Sequence, residues 1–177
     1  SGAANSALAI AGAMTAPVSV SDTVVTNTAY NAFSITSVDA ALTVTNVVAS
    51  ATTAGEAFYV GGVTSGNVDL SGGSFTAAAS HAVKFLAIDA ASIVALGGIA
   101  AASATQMGVY MSTMNGQTSI TGGTLSGATH GLRTHAIGAT GSLSVRDAII
   151  SSSGSHTILF DSTVDGPVSV RGAVVTS

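Results

Sequence analysis

The sequence predicts an all-β fold, a single-stranded parallel β-helix with three sides and about six to seven coils of about 25 residues. A repeated unit, an alternation of apolar and polar residues within it, and turn formers at fixed places in it all lead to this expectation. Segments beginning at Val18, Leu42, Val68, Ile93, Thr118, Leu143 and Val168 resemble one another, with starts 24, 26, 25, 25, 25 and 25 residues apart. A second set of segments keeps the same spacing: Tyr30 to Ile35, Gly55 to Val60, Ser80 to Phe85, Gln106 to Met111, Thr129 to Thr134 and Ser155 to Phe160. Two columns in one register identify a stacked repeat.

The elements of the unit follow in order. Its first four residues alternate, so Val18/Val20, Leu42/Val44, Val68/Leu70, Thr118/Ile120, Leu143/Val145 and Val168/Val170 face inward from a half-buried strand. A corner comes next, made by Gly72-Gly73, Gly97-Gly98 and Gly122-Gly123, or by Asp22, Asn46 and Asp147. A short second strand follows, with Val24-Val25, Val47-Val48, Ser74-Phe75, Thr124-Leu125, Ile149-Ile150 and Val174-Val175. After a loop of small residues, a third strand turns Phe33/Ile35, Phe58/Val60, Val83/Phe85, Val109/Met111 and Ile158/Phe160 inward. Three strands and three corners in about 25 residues describe one turn of a solenoid, whose coils pair only with their neighbours. A β-sandwich would show short strands too, but would not keep the identity of each position through successive units.

Residues 1–17 are expected to form a partial coil or docking segment, Leu8 to Met14 resembling a unit's opening strand, and residues 18–177 the solenoid proper. The chain opens on Ser1, with no charged segment before the apolar Ala7 to Met14, as a chain would that begins after a removed signal peptide.

Composition bounds the function. Four Lys and Arg against eight Asp and Glu give a net charge of −4, which offers no footprint for a nucleic acid and little attraction to an anionic membrane. No apolar run has the length of a membrane-spanning helix, so membrane insertion by this chain is not expected. Only 7% of residues are charged, against roughly a quarter in an average globular protein. Such a surface has little electrostatic defence against association.

The segment Thr118-Ser-Ile-Thr-Gly-Gly-Thr-Leu-Ser-Gly-Ala-Thr-His-Gly-Leu132 resembles the repeat of right-handed parallel β-helices of the pectin-lyase-like group, found in autotransporter passengers, bacterial surface adhesins and phage tailspikes. The resemblance covers residues 18–177 and carries no catalytic motif. It implies a right-handed coil and an extracellular or cell-surface setting. It departs from the group at the tight corner, which holds mostly Gly here and Asn only at Asn46.

Candidate chemistry is sparse. His81, His130 and His156 share one column with Asn31, Glu56 and Met107, and His130 and His156 fall on adjacent coils, the weak candidates for a metal. No third or fourth ligand is evident for zinc, so neither metal nor cofactor is expected. Glycan cleavage needs two carboxylates about 5 to 10 Å apart. Asp22, Asp39, Glu56, Asp69, Asp89, Asp147, Asp161 and Asp165 fall mostly in different columns and distant coils, which predicts no enzyme.

The outward column of the third strand includes Tyr59, Lys84, Tyr110 and Arg133, an alternation of aromatic and cation that suits a cation-π ladder or a binding stripe for a sugar or partner. On the opening strand the outward pairs are expected to include Asp69/Ser71, Val94/Leu96, Ser144/Arg146 and Ser169/Arg171, with Val94 and Leu96 as a small exposed apolar spot. Uncapped ends at Leu8, Ile10 and Met14, and at Val168, Val170, Val174 and Val175, predict end-to-end self-association. The leading expectation is a non-catalytic extracellular filament or surface-stalk subunit. Alternatives are a segment of an autotransporter-type adhesin passenger, and a glycan-binding or glycan-cleaving tailspike-like module or virion decoration protein.

Overall fold

Alternating side chains and left-handed corners wind this chain into a β-solenoid of about seven turns, seen in a computed structural model that describes residues 6–27, 29–154 and 156–177. Three seven-stranded sheets, all parallel, make its sides among the described residues. The opening sheet begins with Val18–Ser21, the middle sheet with Val24–Asn27 and the closing sheet with Leu8–Met14. Each strand pairs with its equivalent one coil away, as Val18 does with Leu42 and Leu42 with Val68.

The corner between the opening and middle strands explains its residue types. Asp22, Asn46 and Asp147 have φ of 50°, 53° and 54°, and Gly72, Gly98, Gly122 and Gly172 have φ of 62° to 64°. This left-handed region is open to Gly and tolerated by Asn and Asp, which is why only these three types occupy the column.

That corner also corrects the register of the fourth coil. Gly98, not Gly97, takes the left-handed position, and Val94 pairs with Val68 and Thr118 while Leu96 pairs with Leu70 and Ile120. Val94 and Leu96 are therefore buried, at 0% and 1% exposure, and no exposed apolar spot forms there. Ile93 faces out instead, at 44%. A one-residue slip exchanges the two faces of a strand, so burial of Val94 and Leu96 in the core selects this alignment. The unit accordingly starts at Val94, 26 residues after Val68 and 24 before Thr118. A similar slip applies to the second coil, where Val48 pairs with Val24 and points outward while Val47 is buried at the corner.

Leu8–Met14 is likewise not an opening strand. It pairs with Phe33–Val38, Leu8 against Phe33 and Ile10 against Ile35, and so closes the coil that precedes Val18.

The core runs along the axis as columns. Phe58 packs edge-on to Phe33 at 5.1 Å and to Phe75 at 5.6 Å between ring centroids. Ala49 and Ala101 flank Phe75 in the middle sheet, so small neighbours leave room for the ring. A further inward column, Val38, Val63, Ile88, Met114, Ile137 and Val164, fills the corner between closing and opening strands. The hydroxyls of Thr118 and Thr134 lie within this core without a hydrogen-bond partner.

Leu96→Ala is expected to cost about 2–5 kcal/mol in urea denaturation, because it opens a cavity in the core. Ile93→Ala should stay within about 0.5 kcal/mol, as surface changes do; equal losses would contradict this register. Thr134→Val should raise stability by about 1 kcal/mol in the same assay, since it removes a buried hydroxyl that has no partner.

Candidate functional site: a charged ladder and two open end rungs

All ion pairs recorded among the described residues lie on the outer face of the closing sheet. Parallel pairing places Tyr59, Lys84, Tyr110, Arg133 and Leu159 in one column, each a rung from the next. Lys84 reaches back one rung, with Nζ 3.0 Å from Glu56 Oε1 and 5.9 Å from the centre of the Tyr59 ring. Tyr110 receives His81 from the rung below, stacked at 5.0 Å, and Arg133 from the rung above, at 5.5 Å. Arg133 then pairs with Asp161, its Nε donating at 2.8 Å, and His135 meets the same carboxylate at 2.9 Å.

Glu56 is the anchor of the lower half. Its residue is 8% exposed, and Ser80 Oγ donates to its carboxylate at 3.1 Å while His81 Nδ1 lies 3.5 Å away. Burial pushes its pKa up, but hydrogen bonds from His81, Lys84 and Ser80 and the charge of Lys84 outweigh this and lower it to about 2. Burial also pushes Asp161 up, and the hydrogen bonds and charges of Arg133 and His135 bring it below the usual carboxylate range. Two carboxylates held ionised in this way are suited to structural pairing, not to proton donation. Both faces of Tyr110 are covered, so a sugar ring could stack there only by displacing His81 or Arg133. Glu56, His81, His135 and Asp161 belong to this ladder, although the outward alternation in the sequence points only to Tyr59, Lys84, Tyr110 and Arg133. The missing signal is an acid or histidine two or three residues from a ladder position, one coil away.

The histidine column forms as the spacing predicts, with His130 and His156 on adjacent rungs and ring centroids 6.2 Å apart. His130 Nδ1 lies 2.6 Å from the backbone oxygen of His156, which engages that nitrogen. Among the described residues no three His, Asp or Glu side chains converge as metal ligands.

Asp39, Asp89 and Asp165 turn out to share one column at the corner, each donating its amide to the rung below. Thr64, Asn115 and Gly138 stand between them, which separates the acids by roughly 10 and 14 Å. Asp39 is engaged by the hydroxyls of Thr64 and Ser37, which lower its pKa. Arg146 and Arg171 stand in register on the opening sheet as two exposed like charges.

At the ends, the inward columns lose their cover. Val170 and Val175 are 43% and 49% exposed, whereas their equivalents Val145 and Ile150 one rung earlier are 1% and 0%. Val168 is half-buried, and at the other end Leu8 and Ile10 are partly buried against the core. Two of the expected end residues sit differently: Met14 is buried, at 4%, and Val174 faces outward from the middle sheet.

Beside the middle sheet runs a shallow trough of about 490 Å3, walled by Ser50–Thr52, Thr76–Ala78 and Ala102–Ala104. It continues past Ser103 and Ala104 as a second hollow of about 330 Å3. Ser103 in its floor donates to the Ser80 carbonyl at 2.5 Å.

The ladder makes a pH prediction. The Glu56 carboxyl titrates near the usual 4.5 when unfolded and at about 2 when folded, so its contribution is present above the first value and lost as pH falls through the second. Urea denaturation across this range should show a falling stability limb. Glu56→Gln should flatten that limb and cost about 2 kcal/mol at neutral pH, since Lys84 loses its partner. An unchanged acid limb in the variant would remove Glu56 from this role. No family model, curated protein or solved structure matches the chain.

Proposed function

We propose that this chain is a non-catalytic structural β-solenoid of the cell exterior, a building block of a filament or surface stalk that grows by end-to-end stacking of coils. The observation that carries this reading is the pair of open end rungs. Each presents an uncovered continuation of the inward columns, Leu8, Ile10, Val18 and Val20 at one end and Ile158, Phe160, Val168, Val170 and Val175 at the other. The last strand of each sheet also has only one strand paired to it within the chain. A further rung of the same kind, about 4.8 Å away, would complete both the apolar columns and the backbone ladders.

The chemistry of the faces supports the same reading. The best-placed carboxylates, Glu56 and Asp161, are committed to ion pairs that brace neighbouring rungs. The low charge suits close association, and the resemblance to right-handed pectin-lyase-like repeats favours an extracellular or cell-surface setting and a right-handed coil. The open rungs equally suit further units of one longer chain, which is the adhesin-passenger form of the same proposal. In both forms the partner is another β-solenoid rung, and surface glycans are a secondary partner of the outer faces.

Electron microscopy of the chain at rising concentration should show rods that lengthen in steps of one molecule, roughly 30 Å each. Val170→Asp, which places a charge on the exposed end rung, should shorten or abolish the rods without changing the circular dichroism spectrum. A chain that shows no rods at high concentration, or rods indifferent to Val170→Asp, would defeat the stacking proposal.

A further inference from the structure

The outer face of the middle sheet differs from the other two sides. None of its seven strands contains Asp, Glu, Lys, Arg or His. Its register shows no shift between any two neighbouring strands, so its outward side chains form two straight columns. Four of the large exposed apolar side chains of the molecule lie in the first column: Val24 at 74%, Val48 at 44%, Ile149 at 48% and Val174 at 55%.

The order within the columns is symmetric about the fourth rung. In the first column Val24 and Val48 open, Ile149 and Val174 close, and hydroxyl residues Ser74 and Thr124 flank a central Ala100. The second column repeats the symmetry. Thr26 and Thr176 are at its ends, Ser50 and Ser151 come next, and Thr76 and Ser126 flank Ala102. Both columns match themselves, class for class, when read in reverse.

We infer that this face binds a second copy of the chain, antiparallel and face to face, about a two-fold axis running along the strand Ala100–Ser103. Such an axis sets each column against itself in reverse, as an isologous interface requires. Val24 then meets Val174 of the other copy, Val48 meets Ile149, Ser74 meets Thr124, and Ala100 meets Ala100. Aliphatic surface packs on aliphatic surface, and hydroxyls face hydroxyls. The parallel arrangement would set the first column against the second and place each of these aliphatic side chains opposite a hydroxyl.

Charge selects the same orientation. Residues 1–83 hold Asp22, Asp39, Glu56 and Asp69 and no Lys or Arg, for a net charge of −4, while residues 84–177 hold four acids and all four cations. Because each coil adds one rung, this division in sequence is a division along the rod. Antiparallel pairing lays the acidic half of one copy beside the half of the other that carries every cation; parallel pairing would lay acid beside acid. The sheet's footprint, seven strands by about four residues, is roughly 400 Å2 per copy, about half of what a standard stable interface contributes per partner. The pairing is therefore weak and depends on concentration, and rods that stack end to end would sum it along their length.

The chain has no cysteine, so single cysteines can report the contact. Ala100→Cys should be joined into a covalent dimer by a short bis-maleimide. Ser74→Cys alone should not, whereas a mixture of Ser74→Cys and Thr124→Cys should. Ala100→Lys, which sets two like charges face to face, should weaken self-association in sedimentation equilibrium by about tenfold or more while the thermal melt stays unchanged. Cross-linking of Ser74→Cys to itself, or failure of Ala100→Cys to cross-link at millimolar concentration, would overturn the inference. End-to-end stacking leaves the fourth rungs of two copies apart, so adding Val170→Asp should abolish rods and leave the Ala100→Cys cross-link intact.

Discussion

Every coil of this molecule is held by the coils on either side of it, through parallel backbone hydrogen bonds and through inward columns that no single coil could bury alone. This coupling makes register the governing quantity. Val94 and Leu96 show why: aligned one residue earlier, their strand would turn both side chains to solvent and bring Ile93 and Ala95 into the core. The left-handed corner enforces the alignment locally, because Gly98 can take the required backbone conformation at no steric cost. Apolar burial and corner geometry thus agree, coil after coil, on one alignment.

The same coupling organises the polar chemistry. The closing sheet carries its charges as a ladder in which each group is satisfied by the rung above or below, from Glu56 and Lys84 through His81, Tyr110 and Arg133 to Asp161. The middle sheet has no charge at all, and its exposed aliphatic residues are left for a partner. The opening sheet carries only scattered charges, Asp69, Arg146 and Arg171. Three sides built from one repeat have therefore acquired three chemistries, and the molecule's contacts follow from which side or end is presented.

Much of the fold was legible in the sequence because a period of two within strands and a period near 25 between them are both written in residue type. The inward faces of the third strand, such as Phe58/Val60 and Val83/Phe85, are buried as the alternation predicts. The inward column at Val38, Val63, Ile88, Met114 and Ile137 is also visible once sought, since each follows the last alternating residue by three positions. It escaped the reading because it interrupts the period of two. Leu8–Met14 was read into the wrong sheet for a related reason: an isolated alternating strand carries no mark of which side of the prism it belongs to, and its pairing with Phe33–Val38 decides that.

The candidate site was legible in its column but not in its partners. That Tyr59, Lys84, Tyr110 and Arg133 line up follows from the repeat alone. That Lys84 turns to Glu56, 28 positions earlier, and Arg133 to Asp161, 28 later, depends on how side chains lean across the gap between rungs and on how far each corner carries the chain. By itself the sequence determined the solenoid, its corners and most of its inward faces, because these depend on residue class and local backbone preference. Tertiary structure decided the alignment of the fourth coil, the side to which Leu8–Met14 belongs and the pairing of every charge in the ladder, because these depend on where neighbouring coils stop relative to one another.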